Sequence, residues 1–254
     1  MTKVGVSGAA GRMGKLVAET IAYATGFDLV AAFDPNAGGE TIAGIEIATT
    51  PEVMLDADVV VEFTNPSVVM DNLRNWYTMG RHAVVGTSGF GEERLNAVDS
   101  FWTEGSGRCL IVPNFSIGAV VMMRLSEIAA PHFDAAEVIE LHHDRKADAP
   151  SGTAMATARR IAAAAAEQRR EVVGTELVPG ARGANVDEVP VHAVRLPGLV
   201  AHQAVMFGGM GETLTIRHDT TDRQAFMPGV VLAVRKVGEL PLPVTVGLDP
   251  LLGL

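Results

Sequence analysis

The stretch that decides the fold spans residues 4–14 and reads VGVSGAAGRMG. Its apolar start predicts a strand, and apolar residues at helical spacing follow over 12–24. A glycine-rich turn between a strand and a helix is typical of a dinucleotide-binding βαβ unit. In such a unit Gly8 permits the tight turn, Gly14 permits close packing of the helix on the strand, and the helix N-terminus receives the phosphates.

The residues expected to contact a dinucleotide lie in this turn and after the second predicted strand. They are Gly8, Ala9, Ala10, Gly11, Arg12 and Met13 in the turn, and Asp34 at the end of the strand. An acid at that position hydrogen-bonds the adenosine ribose hydroxyls and repels a 2′-phosphate, so Asp34 predicts NADH in preference to NADPH. Arg12 and Lys15 still offer positive charge, which leaves use of both cofactors open. A tight turn that binds no nucleotide is the structural alternative.

Alternating strands and helices continue as far as Pro113. Further strands are predicted over 28–33, 59–63, 82–86 and 109–112, and further helices over 66–79 and 92–103. The strands are almost continuously apolar, which predicts a parallel sheet covered on both faces. Ligands bind beyond the carboxyl ends of such strands. The loops 63–66, 86–89 and 112–116 are therefore expected to contact ribose and nicotinamide, although each alone could be an ordinary loop.

The sequence pattern changes after Pro113. Helices are predicted over 117–130, 151–170 and 221–237, the last bending or breaking at Pro228, and strands over 136–143, 189–196, 201–207 and 212–218. These strands are antiparallel candidates, and the glycines of 208–211 predict a hairpin between the last two. The sequence thus predicts an α/β Rossmann-like nucleotide-binding domain plus an α+β C-terminal domain with a mostly antiparallel sheet. The expected boundaries are 1–113 for the dinucleotide-binding domain, with 221–254 returning to it, and 114–220 for the substrate-binding and oligomerisation domain.

The composition is that of a soluble globular protein without a surface for nucleic acid. The 254 residues carry a formal net charge of -10, whereas binding of nucleic-acid phosphates requires a basic face. Cys109 is the only cysteine, so no intrachain disulfide can form, and its apolar neighbours predict a buried strand residue. The N-terminus enters a strand without the pattern of a secretory signal, and no apolar run approaches the ~18 residues of a membrane span. The cytoplasm is the expected location, with neither membrane nor nucleic acid as a partner.

Residues 140–154, ELHHDRKADAPSGTA, hold the densest group of reactive side chains. Two histidines end a predicted strand, Lys146 follows, and a Pro-Ser-Gly-Thr turn opens a helix whose N–H groups can receive an anion. Histidine and lysine can pass protons near neutral pH, and Gly152 lets the backbone approach a ligand closely. Ser151 could instead be only a helix cap. No metal is expected, because three consecutive residues such as His142-His143-Asp144 rarely converge on one ion.

This segment closely resembles the signature of the 4-hydroxy-tetrahydrodipicolinate reductases, also called the dihydrodipicolinate reductase family. The turn at 8–14 and the loops 86–89 and 113–116 resemble the same family, in the same order. The resemblance implies reduction of 4-hydroxy-tetrahydrodipicolinate to tetrahydrodipicolinate with NAD(P)H and loss of water, in lysine and diaminopimelate biosynthesis. It also implies a small dicarboxylate as substrate and a homotetramer built through the sheet of the second domain.

The resemblance implies roles for individual residues as well. His142 would be the general acid or base, and Lys146 a second proton donor and a carboxylate contact. The substrate carboxylates would be bound by His143, Gly152 and Thr153. The nicotinamide end of the cofactor would lie against Gly86, Thr87, Ser88, Val112, Pro113, Asn114 and Phe115. Members of the family differ between the second histidine and the lysine, where this sequence has Asp144 and Arg145. The negative charge of Asp144 beside a site for a dianion predicts that it points away. Ala10 in the glycine turn is a mild departure from the family pattern.

Two other functions remain open from the sequence. A dehydrogenase acting on another amino acid or imine would share the first half of the chain but would not need the arrangement at 146–153. A nucleotide-sensing regulator would bind a dinucleotide without turnover, although the acidic charge argues against one that acts on DNA. Failure to oxidise NADH with any imine would favour the regulator.

Overall fold

The computed structural model describes residues 1–165, 170, 172 and 174–254. These residues divide into two compact units, each with a sheet of its own. Unit 1 consists of Met1–Ser116 and Phe226–Gly253, and unit 2 of Ile117–Ala225 with Leu254. Within the described ranges, no helix is both long enough and apolar enough to cross a membrane.

The helices and strands are as follows. The first part of unit 1 forms β1 (Thr2–Ser7), α1 (Arg12–Tyr23), β2 (Phe27–Phe33), β3 (Thr41–Ile42), β4 (Ile45–Ala48), β5 (Val59–Glu62), α2 (Val69–Thr78), β6 (His82–Val85), α3 (Glu92–Phe101) and β7 (Cys109–Ile111). Unit 2 forms α4 (Ile117–Ala129), β8 (Ala135–His142), α5 (Gly152–Ala164), β9 (Ala184–Val186), β10 (Val189–Arg195), β11 (Ala201–Gly209) and β12 (Glu212–Thr220). The chain ends in unit 1 with α6 (Met227–Lys236), β13 (Val244–Val246) and α7 (Asp249–Leu252).

Unit 1 is built on a sheet in the strand order β13-β7-β6-β5-β1-β2-β4-β3. Its neighbouring strands are parallel except for the β3–β4 hairpin. The central strands are buried along most of their length, because α1, α2 and α6 pack against the sheet. The predicted Rossmann-like sheet is therefore confirmed. Strand β1 lies between β2 and β5, so the strand order changes direction there, which is where such sheets bind ligands.

A fully buried acid, Glu62, ends β5 in the middle of this sheet. Its carboxylate accepts hydrogen bonds from Trp76 Nε1 at 3.0 Å, from Asn72 Nδ2 at 3.2 Å and from the Thr64 hydroxyl. Asn72 and Trp76 are four residues apart in α2 and so share one helix face. Because a buried carboxylate without donors would be costly, this network fixes α2 and the loop after β5 against each other.

The C-terminal part of unit 1 differs from the sequence prediction. The helix predicted over 221–237 is interrupted near Pro228 and not continuous: α6 begins at Met227, and Pro228 lies in its first turn, where its missing N–H leaves no bond unmade. A short 3-10 turn, Arg223–Phe226, precedes α6. Strand β13 has no counterpart in the prediction, and it adds a parallel edge strand beside β7. Three residues are too few to show a recognisable alternation.

Unit 2 has a second sheet in the order β12-β11-β8-β10-β9. Three of its pairs are antiparallel, so the mostly antiparallel sheet is confirmed. The expected antiparallel direction is wrong for β10 beside β8, which run parallel. The physical reason is α5, which lies between these two strands in sequence and brings the chain back to start β10 at the same end as β8. The predicted hairpin at 208–211 is present between β11 and β12, with Gly211 at φ +80°.

Helix α5 is shorter than its alanine-rich sequence predicts. It covers β8 and β10 with Ala154, Ala158 and Ile161 buried, and it ends at Ala164 instead of 170. Residues 166–169 of the predicted helix lie outside the described residues. Arg170 is not helical, since its N–H donates to the Asp134 carbonyl oxygen at 2.7 Å. At Arg170 itself, a tertiary hydrogen bond takes the place of a helical one.

Trp76→Phe is expected to lower the free energy of unfolding more than Trp102→Phe does. Both side chains are buried, but Trp76 donates to the Glu62 carboxylate, whereas Trp102 donates to the Gly107 carbonyl oxygen at 2.7 Å. A bond to a charged group contributes about 1.5–3 kcal/mol and one between neutral groups about 0.5–1.5 kcal/mol. Urea unfolding followed by circular dichroism measures both losses, and the remaining tryptophan reports on unit 1 by fluorescence. Equal losses would contradict a charge-assisted bond at Glu62.

Candidate functional site

The loops that follow the parallel strands of unit 1 lie at one edge of the sheet and are joined by hydrogen bonds. The Gly8 N–H donates to the Phe33 carbonyl oxygen at 2.9 Å, which connects the loops after β1 and β2. The Thr64 N–H donates to Thr87 Oγ1 at 2.9 Å, which connects the loops after β5 and β6. The residues that sequence analysis assigned to a dinucleotide are thus brought together along this edge.

The glycine turn has the geometry of an anion-binding helix start. Gly8 has φ +78°, and a Cβ there would lie 2.3 Å from the Phe63 carbonyl oxygen. A Cβ on Gly14 would lie 2.0 Å from the Gly8 carbonyl oxygen, so both positions require glycine. Among the described residues, no side chain caps the N-terminus of α1 at Gly11, and the first turn holds no acid. Its N–H groups can therefore receive phosphate oxygens. Ala9 is buried, Ala10 and Met13 are half-buried, and Gly11 and Arg12 are exposed.

Asp34 is tied to the glycine turn by its carboxylate. Its Oδ2 accepts a hydrogen bond from the Ala10 N–H at 3.3 Å, and its Oδ1 accepts one from the Asn36 N–H at 3.1 Å. The side chain is half-buried, so the negative charge stands beside the turn with part of it open to a ligand. Lys15, one source of positive charge in the sequence, lies 3.8 Å from Glu40.

Gly86 fits between two aromatic rings in the loops after β5 and β7. The Phe63 and Phe115 ring centroids are 5.4 Å apart, and a Cβ on Gly86 would lie 2.2 Å from Phe63 and 2.8 Å from Phe115. Beside it Thr87 is buried, and its hydroxyl donates to the Glu62 carbonyl oxygen at 3.3 Å. Of the other predicted contacts, Val112 and Phe115 are buried, Asn114 is half-buried, and Ser88 and Pro113 are exposed. These loops offer a small, partly open surface between fixed aromatic and hydroxyl groups.

In unit 2 the reactive segment is organised around the buried carboxylate of Glu140. Its Oε2 accepts a hydrogen bond from His142 Nδ1 at 2.5 Å, and its Oε1 accepts one from the Ser151 N–H at 3.0 Å. Arg195 donates to both oxygens, from Nη1 to Oε2 and from Nη2 to Oε1, each at 2.8 Å. The Glu140 side chain is 0% exposed and that of His142 is 15% exposed. The carboxylate of Glu140 is thus shielded from solvent, whereas part of the His142 ring remains exposed.

These bonds fix the protonation of Glu140 and the tautomer of His142. Burial by itself raises the pKa of Glu140, but hydrogen bonds from His142, Arg195 and the Ser151 N–H outweigh it and lower the pKa from 4.5 to about 2. An ionised carboxylate can only accept, so the hydrogen of that bond belongs to Nδ1 of His142. Nε2 is then the nitrogen at which His142 can take up or release a proton.

The loop after β8 holds Lys146 by its backbone and by its ammonium group. The Lys146 N–H donates to the His143 carbonyl oxygen at 3.1 Å, and Nζ donates to Asp148 Oδ1 and Oδ2 at 2.7 and 2.8 Å. Chiefly because of the hydrogen bond from Lys146, the pKa of Asp148 lies below its usual value. His143 Nδ1 is buried and has no hydrogen-bond partner in the part of the chain that the structure describes. Asp144 is exposed.

The Pro-Ser-Gly-Thr turn forms a capped helix start beside Glu140. Ser151 Oγ accepts the Ala154 N–H at 3.2 Å, while the Ser151 N–H binds Glu140. Gly152 and Thr153 are the first residues of α5, and first-turn N–H groups lack acceptors within the helix. Gly152 is exposed, and within the described residues nothing lies within 4 Å of a Cβ placed on it. Space for an anion is therefore available, with Ser151 serving as cap and as a support of Glu140.

In the part of the chain that the structure describes, neither a metal centre nor a reactive thiol accompanies these groups. The described residues contain no group of three or more histidine, cysteine or acidic residues that could hold a metal ion. Cys109 is buried as the sequence predicted, and burial raises the pKa of its thiol.

Sequence reasoning gave no role to Glu140, Arg195 or Asp148. Glu140 could have been found, because it stands two residues before His142 on a strand and so faces the same side. Asp148 lies inside the quoted segment, but nothing in the spacing says that it contacts Lys146. Arg195 gave no signal at all, since 55 positions separate it from Glu140 and only the pairing of β8 with β10 brings the two together.

Glu140 is expected to make the stability of unit 2 depend on pH in acid solution. Because its folded pKa is depressed from 4.5 to about 2, its ionised form stabilises the fold above about pH 4.5, and this contribution is lost as the pH falls towards 2. The difference in unfolding free energy between the natural chain and Glu140→Gln should therefore shrink between about pH 4.5 and pH 3. Urea unfolding at a series of pH values measures it.

Asp148→Asn is the matched control, because its carboxylate is 61% exposed and solvent screens its contribution. Its effect on stability should be smaller at every pH. A difference for Glu140→Gln that stays the same from pH 7 to pH 3 would contradict the assignment of a depressed pKa to Glu140.

Comparison with known proteins agrees with these features. A model described as "Dihydrodipicolinate reductase, N-terminus" matches residues 2–115, and one described as "Dihydrodipicolinate reductase, C-terminus" matches residues 118–252. Curated proteins named 4-hydroxy-tetrahydrodipicolinate reductase are 51% identical in Mycobacterium marinum, over 99% of both chains, and 51% identical in Thermobifida fusca, over 100% of both chains.

A solved structure points the same way. The dipicolinate-bound dihydrodipicolinate reductase of Paenisporosarcina sp. TG-14 is 35% identical, with a TM-score of 0.86 over 98% of this chain and 99% of that one. The resemblance drawn from the sequence is thus confirmed over the full length. The chain belongs to the dihydrodipicolinate reductase family.

Proposed function

We propose that this chain reduces 4-hydroxy-tetrahydrodipicolinate to tetrahydrodipicolinate with a reduced nicotinamide and loss of water, using His142 and Lys146 as its proton-handling groups. The activity rests on the full-length identity of about one half to curated reductases of that name. The chain is accordingly an oxidoreductase of lysine and diaminopimelate biosynthesis. The observation that carries the residue assignment is His142, held by a buried carboxylate beside a lysine and a helix N-terminus.

Unit 1 is the proposed cofactor-binding domain, and NADH is the preferred cofactor. The N-terminal family model implies a nicotinamide dinucleotide, and the residues fit one: Gly8 and Gly14 leave no room for a Cβ, and α1 starts without a side-chain cap among the described residues. The Asp34 carboxylate beside the turn favours ribose hydroxyls and repels a 2′-phosphate. Lys15, which could attract that phosphate, has Glu40 near its ammonium group.

The contacts along the nicotinamide half of the cofactor are assigned to the loops after β6 and β7. The proposed residues are Gly86, Thr87, Ser88, Val112, Pro113, Asn114 and Phe115. Support comes from the tight fit of Gly86 between two rings and from the hydroxyl of Thr87, which the backbone of Thr64 and Glu62 holds in place.

Unit 2 is the proposed substrate-binding domain. Lys146 and the N–H groups of Gly152 and Thr153 would bind the carboxylates of the ring, with His143 as a further donor. The buried Nδ1 of His143, unpaired within the described residues, is a polar atom that a ligand would satisfy. The Lys146 ammonium already donates hydrogen bonds to one carboxylate, that of Asp148. A carboxylate of the substrate can therefore bind at the same position. Dipicolinate, the ligand of the relative from Paenisporosarcina, should occupy this site too.

The chemistry assigned to the protein is proton transfer and charge stabilisation. A bound reduced nicotinamide supplies the hydride. The substrate ring that receives it must also take up a proton, and His142 can exchange one at Nε2 because Nδ1 is held by Glu140. The ionised Glu140 holds the His142 ring in the orientation and tautomer that leave Nε2 for proton exchange. Lys146 offsets the negative charge of the carboxylates and can donate a second proton.

A homotetramer is proposed through the open face of the sheet in unit 2. Residues that alternate with the helix-covered ones, such as Ile139, Leu141 and Val194, remain partly exposed on that face, and Met206 is 43% exposed. Burial of this apolar area in a subunit contact would stabilise an oligomer. The cytoplasmic location stays a prediction from the sequence.

The test of the function is a coupled assay. Pyruvate, aspartate semialdehyde and the synthase that joins them generate the unstable substrate, and loss of reduced nicotinamide absorbance is followed with NADH and with NADPH. Oxidation that requires the synthase is the expected result. If NADH binds and no oxidation follows, the chain acts on a different amino acid or imine or is a nucleotide sensor.

His142→Gln is expected to lower kcat about 100-fold or more with a modest change in KM, because it removes a positioned proton donor without removing a carboxylate contact. Lys146→Ala should lower kcat and raise KM together, since Lys146 serves both purposes. Steady-state kinetics in the coupled assay measure both effects. His132→Gln, at an exposed histidine of unit 2, is the control and should leave both constants unchanged. An unaltered kcat in Lys146→Ala would contradict the assignment of Lys146 as a proton donor.

Asp34→Asn is expected to lower the preference for NADH over NADPH by about tenfold, which corresponds to about 1.4 kcal/mol. The amide keeps the size and one acceptor of the side chain but removes the charge that repels a 2′-phosphate. The ratio of the two kcat/KM values measures the change. Asp28→Asn, an exposed acid on the same strand, should leave the ratio as it is. An unchanged ratio in Asp34→Asn would assign cofactor choice to other residues.

A further inference from the structure

We propose that Arg195 is a positioning residue that couples the two proton-handling groups, His142 and Lys146. This inference rests on the proposed function of those two residues. Arg195 ends β10, and the parallel register of β8 and β10 pairs it with His142. Its side chain is 19% exposed, so most of it is enclosed by the protein.

On one side Arg195 shares the Glu140 carboxylate with His142. Arg195 Nη1 and His142 Nδ1 both donate to Oε2, at 2.8 and 2.5 Å, and Nη2 donates to Oε1 at 2.8 Å. Two parallel bonds from a planar guanidinium fix the plane of the carboxylate, and the carboxylate in turn fixes the imidazole ring. Arginine is always charged, so part of the negative charge of Glu140 is permanently balanced by Arg195 instead of by His142.

On the other side Arg195 fixes the loop that carries Lys146. Nη2 donates to the Asp148 carbonyl oxygen at 2.6 Å, and the Asp148 carboxylate holds Lys146 Nζ. A continuous series of contacts therefore runs from His142 through Glu140, Arg195 and Asp148 to Lys146. Because Arg195 binds the backbone of Asp148, the loop can stay in place when a substrate carboxylate replaces the Asp148 side chain on Lys146.

The charges around His142 make the effect of Arg195 predictable. Glu140 faces His142 from the same strand, Arg195 from β10, and Lys146 and Asp148 belong to the loop after β8. On β11 the residue paired with His142 is the uncharged Ala201. Removal of the arginine charge leaves Glu140 to interact with the imidazole alone, so the protonated imidazole is favoured. The limb of the pH–rate profile that reports His142 should then move to higher pH, whether His142 acts as acid or as base.

The experiment compares Arg195→Met and Arg195→Lys in the coupled assay as a function of pH. Arg195→Met should lower kcat about tenfold or more, raise KM for the substrate, and move the limb upward by on the order of one pH unit. Arg195→Lys keeps the charge but not the paired bonds. It should return the limb close to its original pH without restoring kcat fully. Arg108→Met, in which a half-buried arginine paired with Glu104 in unit 1 is lost, is the control and should change none of these quantities.

Arg195→Met removes two donors from the buried Glu140 carboxylate, and the variant can fail to fold for that reason alone. A double variant that also carries Glu140→Gln has no buried charge left to satisfy, so it keeps the proposal testable. If Arg195 acts on His142 mainly through Glu140, Arg195→Met should shift the limb in the natural background and shift it clearly less in the Glu140→Gln background. An equal shift in both backgrounds, or a folded Arg195→Met chain with an unmoved limb, would overturn the proposal.

Proton titration of the histidine rings by NMR separates this proposal from the proposed function. It detects the effect of Arg195 on His142 without any turnover, with His142→Gln used to assign the signal. If the natural chain fails to oxidise NADH but Arg195→Met still displaces the His142 titration to higher pH, the activity is wrong and the positioning role stands. If the chain is active and the titration is not displaced, the positioning role is wrong.

Discussion

The carboxylate of Glu140 is buried among four donors: one from His142, one from the backbone of Ser151 and two from Arg195. A buried carboxylate is stable only when its oxygens are satisfied, so each donor is held where the acid requires it. Through these bonds one side chain fixes the end of β8, the start of α5 and the end of β10. The tautomer of His142, the cap of α5 and the path of the loop with Lys146 all depend on that single group.

Unit 1 contains a second buried acid, Glu62, which works with neutral donors. Trp76, Asn72 and the Thr64 hydroxyl satisfy its carboxylate, and its carbonyl oxygen receives the Thr87 hydroxyl. Neutral donors hold helix and loops together without adding a cation or a titratable ring beside the loops proposed to bind the cofactor. Around Glu140 the donors include a permanent cation and a titratable ring, so that network also determines where protons reside. The difference suits the roles proposed for the two units, cofactor binding in unit 1 and acid–base chemistry in unit 2.

The two helix starts assigned to anions are also built differently. The N-terminus of α1 follows a glycine turn in which a Cβ at Gly8 or Gly14 would overlap the backbone, so the chain itself approaches the ligand. The N-terminus of α5 has Ser151 as its cap, and Gly152, its first residue, is exposed with space beside it. A diphosphate needs several N–H groups at once, whereas a single carboxylate needs few and gains more from a nearby cation such as Lys146.

The sequence by itself determined the features that are written in contiguous residues. The glycine turn, Asp34 after β2, the segment 140–154 and the alternation of strand and helix in unit 1 could all be found, because each depends on local spacing. The fold class and the family followed from them. Tertiary structure alone decided the parallel pairing of β8 with β10, the early end of α5 and the edge strand β13. Arg195 reaches Glu140 only because that pairing exists, and pairing between distant strands depends on the packing of α5 across them, which no local pattern records.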